Sequence, residues 1–189
     1  MRIVVGVTGG SGSVIALRFL QSLKGHEVHL IVSEHARLVA RAELDLDARE
    51  FERYAEYVYD DRDVAARVSS GSFIFDALVI VPCSISTLSK IAAGISDTLI
   101  TRAAAVALKE RRKLVLVPRE TPLSTLTLRN MLSLSEMGAV ILPAMPGYYT
   151  RPKSVEDMVD FVVSRILDQI GVVNSLIQRW GGYGPGLHG

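Results

Sequence analysis

Five short stretches of this chain concentrate the side chains that could do chemistry, and most of them follow an apolar run. The first is Thr8-Gly9-Gly10-Ser11-Gly12-Ser13. Small residues in such a loop let backbone N–H groups and hydroxyls approach a phosphate or nucleotide closely. Gly6, Gly9 and Gly12 are spaced G-x-x-G-x-x-G, not the G-x-G-x-x-G of dinucleotide loops, so NAD is disfavoured even though Glu34 follows the second apolar run. A mononucleotide site and a plain tight turn both remain open, the turn having less need of Ser11 and Ser13. The second stretch, Pro82-Cys83-Ser84-Ile85-Ser86-Thr87, offers three hydroxyls that could bind phosphate or simply cap a helix. Cys83 has no adjacent histidine to support a thiolate and reads as packed. In the third, Pro118-Arg119-Glu120-Thr121-Pro122, Arg119 suits bidentate phosphate recognition, with an Arg119–Glu120 surface pair as the alternative. The fourth, Pro146-Gly147-Tyr148-Tyr149-Thr150-Arg151-Pro152, places adjacent tyrosines where they could stack on a ring, bind phosphate or fill an interface. Ser69-Ser70-Gly71-Ser72 is a weaker fifth.

Several reaction classes recede. The histidines at 26, 29, 35 and 188 show no metal-ligand spacing, and His26 and His29 flank one apolar run as strand-edge residues would. No cysteine cluster and no Ser-His-Asp order stand out, which disfavours metal and acyl-transfer catalysis. The 189 residues carry 21 basic and 20 acidic side chains, a net charge of +1. That balance gives no reason to expect nucleic acid or an anionic membrane as partner. A lone cysteine forms no intrachain disulfide, and no apolar run reaches the roughly 20 residues of a membrane span. The expectation is a soluble cytoplasmic protein. Hydrophobic residues make up 49% of the chain, a surplus that could line a pocket or cover a subunit interface.

The elements that must position these loops alternate. Ile3–Val7, Val28–Val32, Ala77–Val81, Lys113–Val117 and Ala139–Leu142 read as buried strands, two of them stopped by Pro82 and Pro118. Val14–Leu23, Glu34–Ala42, Ser86–Ala93, Asp97–Arg111, Leu123–Met137 and the stretch opened by Ser154 and Asp157 read as helices, the last with a near match to a capping box. Asp45–Arg67 predicts a short helix, a short strand near Tyr57–Tyr59 and another helical turn. The pattern predicts an α/β protein, a three-layer α/β/α sandwich with a mostly parallel sheet, flavodoxin-like or Rossmann-like. One domain would span residues 1–180, with a loose Gly-rich tail at 181–189.

Taken in order, T-G-G-S-G-S, S-S-G-S, P-C-S-x-x-T-L, A-L-K-E-R-R-x-L-V-L-V-P-R-E-T-P-L, G-A-V-I-L-P-A-x-P-G-Y-Y and S-V-E-D-x-V-D-F-V-V-x-R-I-L-D resemble the UbiX-type flavin prenyltransferases from about Arg2 to Trp180. The resemblance implies reduced FMN as cofactor and prenyl acceptor, alkylated at N5 and closed at C6. It implies dimethylallyl phosphate as donor, and a product that serves a UbiD-type decarboxylase. It also implies a homo-oligomer, a dodecamer. Carried over by motif, Gly9, Gly10, Ser11, Ser33, Ser84, Ile85, Ser86, Thr87, Arg102 and Arg119 would hold FMN. Ser70, Gly71, Lys109, Arg119, Glu120, Tyr149, Arg165 and Trp180 would hold the donor, and Ser11, Glu43 and Glu120 would act in catalysis. Lys109, Arg119 and Arg165 would stabilise the leaving phosphate without a metal, and an aromatic face such as Trp180 the allyl cation. Gly10 stands where alanine is common, and Ser86 at a variable position. An FMN-dependent cysteine decarboxylase would need a P-x-M-N-x-x-M segment that the chain lacks. A non-catalytic flavin carrier would have no use for Lys109, Arg119, Tyr149 and Arg165.

Overall fold

The computed structural model describes residues 1–181. Six strands form one sheet: β1 (Arg2–Val7), β2 (Glu27–Val32), β3 (Tyr57–Asp60), β4 (Ala77–Cys83), β5 (Lys113–Pro118) and β6 (Val140–Ile141). Their order is β3-β2-β1-β4-β5-β6, and every pairing is parallel. Both faces are covered over β1, β2, β4 and β5, and those strands, unlike the exposed edge strand β3, carry long apolar runs.

Alternation along each strand divides the core in two. Ile3, Val5, Val7, Val79, Val81, Val115 and Val117 face α1 (Ser13–Gln21), α2 (Glu34–Leu44), α3 (Arg49–Glu52) and α7 (Val155–Ile170). Val4, Leu78, Ile80, Leu114 and Leu116 face α4 (Ile85–Ala92), α5 (Leu99–Lys109) and α6 (Thr125–Glu136). Arg18 of α1 donates to both carboxylate oxygens of Asp160 on α7, at 2.6 and 3.2 Å, and ties those two helices together.

Helix starts follow local chemistry. Ser33, Ser84, Thr98, Ser124 and Ser154 each accept a backbone N–H from the first turn of their helix, which satisfies a donor that would otherwise be orphaned. The box expected at Ser154 and Asp157 forms in full. Three expectations need correction. Pro82 does not end the fourth strand; the ladder shifts register between Ile80 and Cys83 and resumes with Cys83 opposite Pro118, which accommodates a residue with no N–H to donate. The fifth helix begins after Thr98 instead of at Asp97, because Thr98 and Thr101 form a capping box of their own. His29 is no strand-edge residue. It is fully buried within β2, its Nε2 2.8 Å from Glu27 and its Nδ1 2.8 Å from the Tyr59 hydroxyl, and its ring stacks on Tyr57. The tail expected to be loose lies, from residue 182 on, outside the described residues. Among the described residues no helix is long and apolar enough to cross a membrane.

Candidate functional site

In an open parallel sheet the ligand crevice lies at the carboxyl ends of the strands, where the chain order reverses. Here that point falls between β1 and β4, and it brings together the first and second loops. Thr8 joins them. Its buried hydroxyl donates to the Pro82 carbonyl at 2.8 Å and accepts the Ser84 N–H at 2.7 Å. Gly9 presses against α2, where a Cβ would fall 2.6 Å from the Cβ of His35, closer than packed atoms come. Gly12 turns the chain into α1 at a φ of 117°, a conformation that favours glycine.

Between these loops and the start of α5 lies a cleft of about 290 Å³. Thr8, Gly9, Ser33, Ser84, Ser86 and Thr87 line one part of it, and Lys90, Thr98, Ile100 and Thr101 another. An adjoining groove of about 600 Å³ shares Ser33, His35, Asp61 and Thr98 with the cleft. The Asp61 carboxyl lies at the junction. Burial pushes its pKa above the ordinary range, against the Ile100 N–H and Thr98 that favour the charge, and with Asp60 and Asp97 adding repulsion. The Ile100 N–H reaches it at 2.9 Å. A wall of hydroxyls with a lysine suits the polyol chain and phosphate of a mononucleotide, and the donor set therefore fits FMN.

Two residues beyond Gly9, Ser11 meets Glu43 of α2. The Glu43 carboxylate accepts the Gly12 N–H at 3.0 Å and the Ser13 N–H at 2.8 Å. Desolvation opposes its charge, but hydrogen bonds from the Ser11 hydroxyl and from the Ser13 and Gly12 amides outweigh that, and its pKa falls below the ordinary value. Glu43 is therefore an ionised acceptor with a hydroxyl on it at neutral pH.

The other expected residues lie elsewhere in the chain. Gly10 packs on Pro82 and Ser84 beside the cleft, whereas Ile85, the first residue of α4, is partly buried and packs against the core. Arg102 is exposed on the first turn of α5 and does not line the cleft. Arg119 and Glu120 border a separate pocket of about 60 Å³ with Met131 and Met145, and Glu120 accepts the Thr121 N–H at 3.1 Å. Lys109 ends α5, about 16 Å from its start by helical rise, and stands beside Gly71, whose added Cβ would be 3.1 Å from Nζ. Ser70 adjoins them, its hydroxyl 2.8 Å from that of Ser72. Tyr149 packs edge-on against Phe161 and Trp180, with centroids 5.7 and 5.4 Å apart. Arg165 shares Asp168 with Arg179, at 2.8 and 2.7 Å. One chain thus gathers the hydroxyl cleft in one place and the basic and aromatic residues in three others.

The motifs missed Asp61, Lys90, Thr98 and Thr101, and gave Thr8, which opens the first of them, no role of its own. A signal existed for three of them. Lys90 follows Ser86 and Thr87 at helical spacing, which puts it on their face, and Thr98 with Thr101 is cap chemistry read one residue too early. Cys83 is fully buried and its thiol is pushed up to about 12 by desolvation, so it packs, as expected. Among the described residues no group of three histidine, cysteine, aspartate or glutamate side chains could hold a metal.

A parallel sheet of this order with a hydroxyl-lined cleft at its switch point defines an α/β nucleotide-binding protein. The family model described as Flavoprotein matches residues 1–167. The flavin prenyltransferase UbiX of Thermoplasma acidophilum is 61% identical over 180 residues, 95% of this chain and 100% of that one. A crystal structure of AnUbiX (PadA1) in complex with FMN and dimethylallyl pyrophosphate superposes with a TM-score of 0.95 at 44% identity, covering 97% and 98% of the two chains. A dodecameric FMN-dependent UbiX-like decarboxylase from Escherichia coli O157:H7 gives 0.94 at 45% identity, covering 96% and 100%. The chain belongs to the UbiX flavin prenyltransferases.

Proposed function

We propose that this protein transfers a dimethylallyl group from dimethylallyl phosphate to N5 and C6 of reduced FMN, and that a UbiD-type decarboxylase receives the product. The observation that carries this reading is the hydroxyl-lined cleft with the Ser11–Glu43 pair on its first loop. Bound there, reduced FMN would supply an electron-rich ring as nucleophile. Gly9, Ser33, Ser84, Ser86 and Thr87 would hold and orient it. Alkylation at N5 releases a proton, and Ser11 is placed to pass one to the ionised Glu43.

The donor residues support a site assembled between subunits. Lys109 lies about 16 Å from the cleft along α5, and Arg165 and Tyr149 sit on and against α7. In a homo-oligomer, a dodecamer like the Escherichia coli relative, these groups would reach a neighbour's cleft. There Lys109, Arg119 and Arg165 would take up the charge that grows on the departing phosphate as the allylic C–O bond breaks. Tyr149 and Glu120 would orient that phosphate, and the Trp180 face would stabilise the allylic cation. A lone, fully buried Cys83 suits a reducing cytoplasm.

The deciding experiment is anaerobic. Protein, reduced FMN and dimethylallyl phosphate are incubated, and the extracted flavin is weighed by mass spectrometry. A gain of one five-carbon unit is expected. Unchanged FMN with both ligands demonstrably bound, repeated with the diphosphate that the AnUbiX complex holds, would overturn the transferase reading.

A further inference from the structure

Lys90 is the one lysine or arginine among the described residues that line the cleft. It lies in the last turn of α4, three and four residues after Thr87 and Ser86, so one helix face presents all three to the cleft. Its Nζ is 2.6 Å from Oδ2 of Asp97. Both partners are partly open to solvent, at 37% and 48%, and Asp97 stands just ahead of the Thr98 cap of α5.

None of the motifs assigns Lys90 a role. The cations expected to hold FMN are Arg102, which is exposed outside the cleft, and Arg119, which borders a different pocket. The first loop, with Gly9 and the Ser11–Glu43 pair, fits the reacting ring. The part of the cleft formed by Lys90, Thr98 and Thr101 is left for the phosphate.

We infer that Lys90 binds the FMN phosphate and sets the preference of this site for FMN over riboflavin, with Asp97 holding the ammonium in the cleft until the phosphate arrives. This rests on the FMN reading above. A lysine suits the task because its charge is compact and its stem flexible, so it can turn from a half-exposed carboxylate to a phosphate without moving the backbone. Asp97 then acts as a competing counter-ion.

The test is binding, read by quenching of flavin fluorescence, with FMN and riboflavin titrated separately into wild type, K90Q, K90R and D97N. K90Q is expected to weaken FMN about tenfold, as loss of a charge-assisted contact does, and to leave riboflavin unchanged. K90R is expected to keep most of the FMN preference, and D97N to keep or raise it. The inference is overturned if K90Q binds FMN as wild type does, or if K90Q loses FMN and riboflavin in equal measure. It is also overturned if D97N loses the FMN preference as K90Q does, because the pair would then be structural. Wild type that binds neither flavin would instead sink the FMN reading itself.

Discussion

The guanidinium of Arg112 holds the carbonyl of Gly71 at 2.5 Å. The same side chain donates to the Phe73 carbonyl at 2.6 Å and lies over the Phe75 ring, 4.6 Å from its centroid. One arginine thus fixes the Ser70–Phe73 loop against the end of α5, where Lys109 stands. If that loop and Lys109 form the donor-phosphate site, Arg112 positions it. R112Q should raise KM for the donor about tenfold, on the scale of charge-assisted hydrogen bonds, with FMN affinity unchanged and kcat little affected. R112K, which keeps the charge but not the fork, should recover only part of the loss. An FMN affinity that fell in step with donor KM would mark Arg112 as merely structural.

Glu43 gives a prediction with two readouts. Its carboxylate accepts two N–H groups at the start of α1 as well as the Ser11 hydroxyl. Because the folded pKa lies below the ordinary value, the ionised form stabilises the fold above the unfolded pKa, and that contribution fades as pH falls through the folded value. E43Q should therefore melt below wild type at pH 7, and the two should converge as the pH drops through the acid range. Prenyl transfer by E43Q should fall about 100-fold, as for loss of a general base, while FMN stays bound. Full activity in E43Q would remove Glu43 from the proton path.

The contrast between cleft and scattered cations explains what could be read from sequence. The sheet, its parallel sense and both cleft loops were legible, because apolar runs such as Ile3–Val7 and Ala77–Val81 lead into loops rich in small hydroxyl residues, a pattern governed by neighbours in the chain. A cap among Ser84, Ser86 and Thr87 was legible for the same reason, and Ser84 is the one that caps α4. The path of β4 through Pro82 was not, since the register shift depends on the pairing of Cys83 with Pro118 across the sheet. His29 was misread because its burial comes from Tyr57, Tyr59 and Phe73, residues 28 to 44 positions away in the chain that close over it only in the fold. Lys90 escaped because a lysine on an exposed helix face and one facing a cleft look alike until the partner, here the start of α5, is in place.

Neighbouring glycines in the first loop should respond differently to the same methyl group. At Gly9 an added Cβ would fall 2.6 Å from the Cβ of His35 and 3.4 Å from its backbone carbon, so α2 would have to move. At Gly10 the nearest atoms, on Pro82 and Ser84, are 3.4 Å away, ordinary contact. G9A should lose FMN binding by at least tenfold and destabilise by about 1–3 kcal/mol, the usual cost of overpacking. G10A should match wild type in both. Equal tolerance at the two positions would mean that the loop does not rest on α2 as described.

Thr8 links the two cleft loops through one buried hydroxyl, and it separates shape from hydrogen bonding. Valine has nearly the same outline, so T8V leaves packing intact but strands the Ser84 N–H, which now lies 2.7 Å from the hydroxyl. The Pro82 carbonyl keeps the Thr8 N–H at 3.3 Å and loses the better bond at 2.8 Å. An unpaired buried donor costs about 1–3 kcal/mol; Ser84 is partly buried at the cleft wall, so the loss should fall at the low end of that range, a Tm lower by a few degrees in a chain of this length. The start of α4 is set by Ser84, whose hydroxyl accepts the Thr87 N–H and donates to the Thr87 hydroxyl. Loosening it should therefore weaken FMN binding as well as the fold. T8S keeps the hydroxyl and should restore both. If T8V lowered Tm but bound FMN as tightly as wild type, the Thr8 tether would serve the sheet alone, and the cleft would owe its shape to the helix caps.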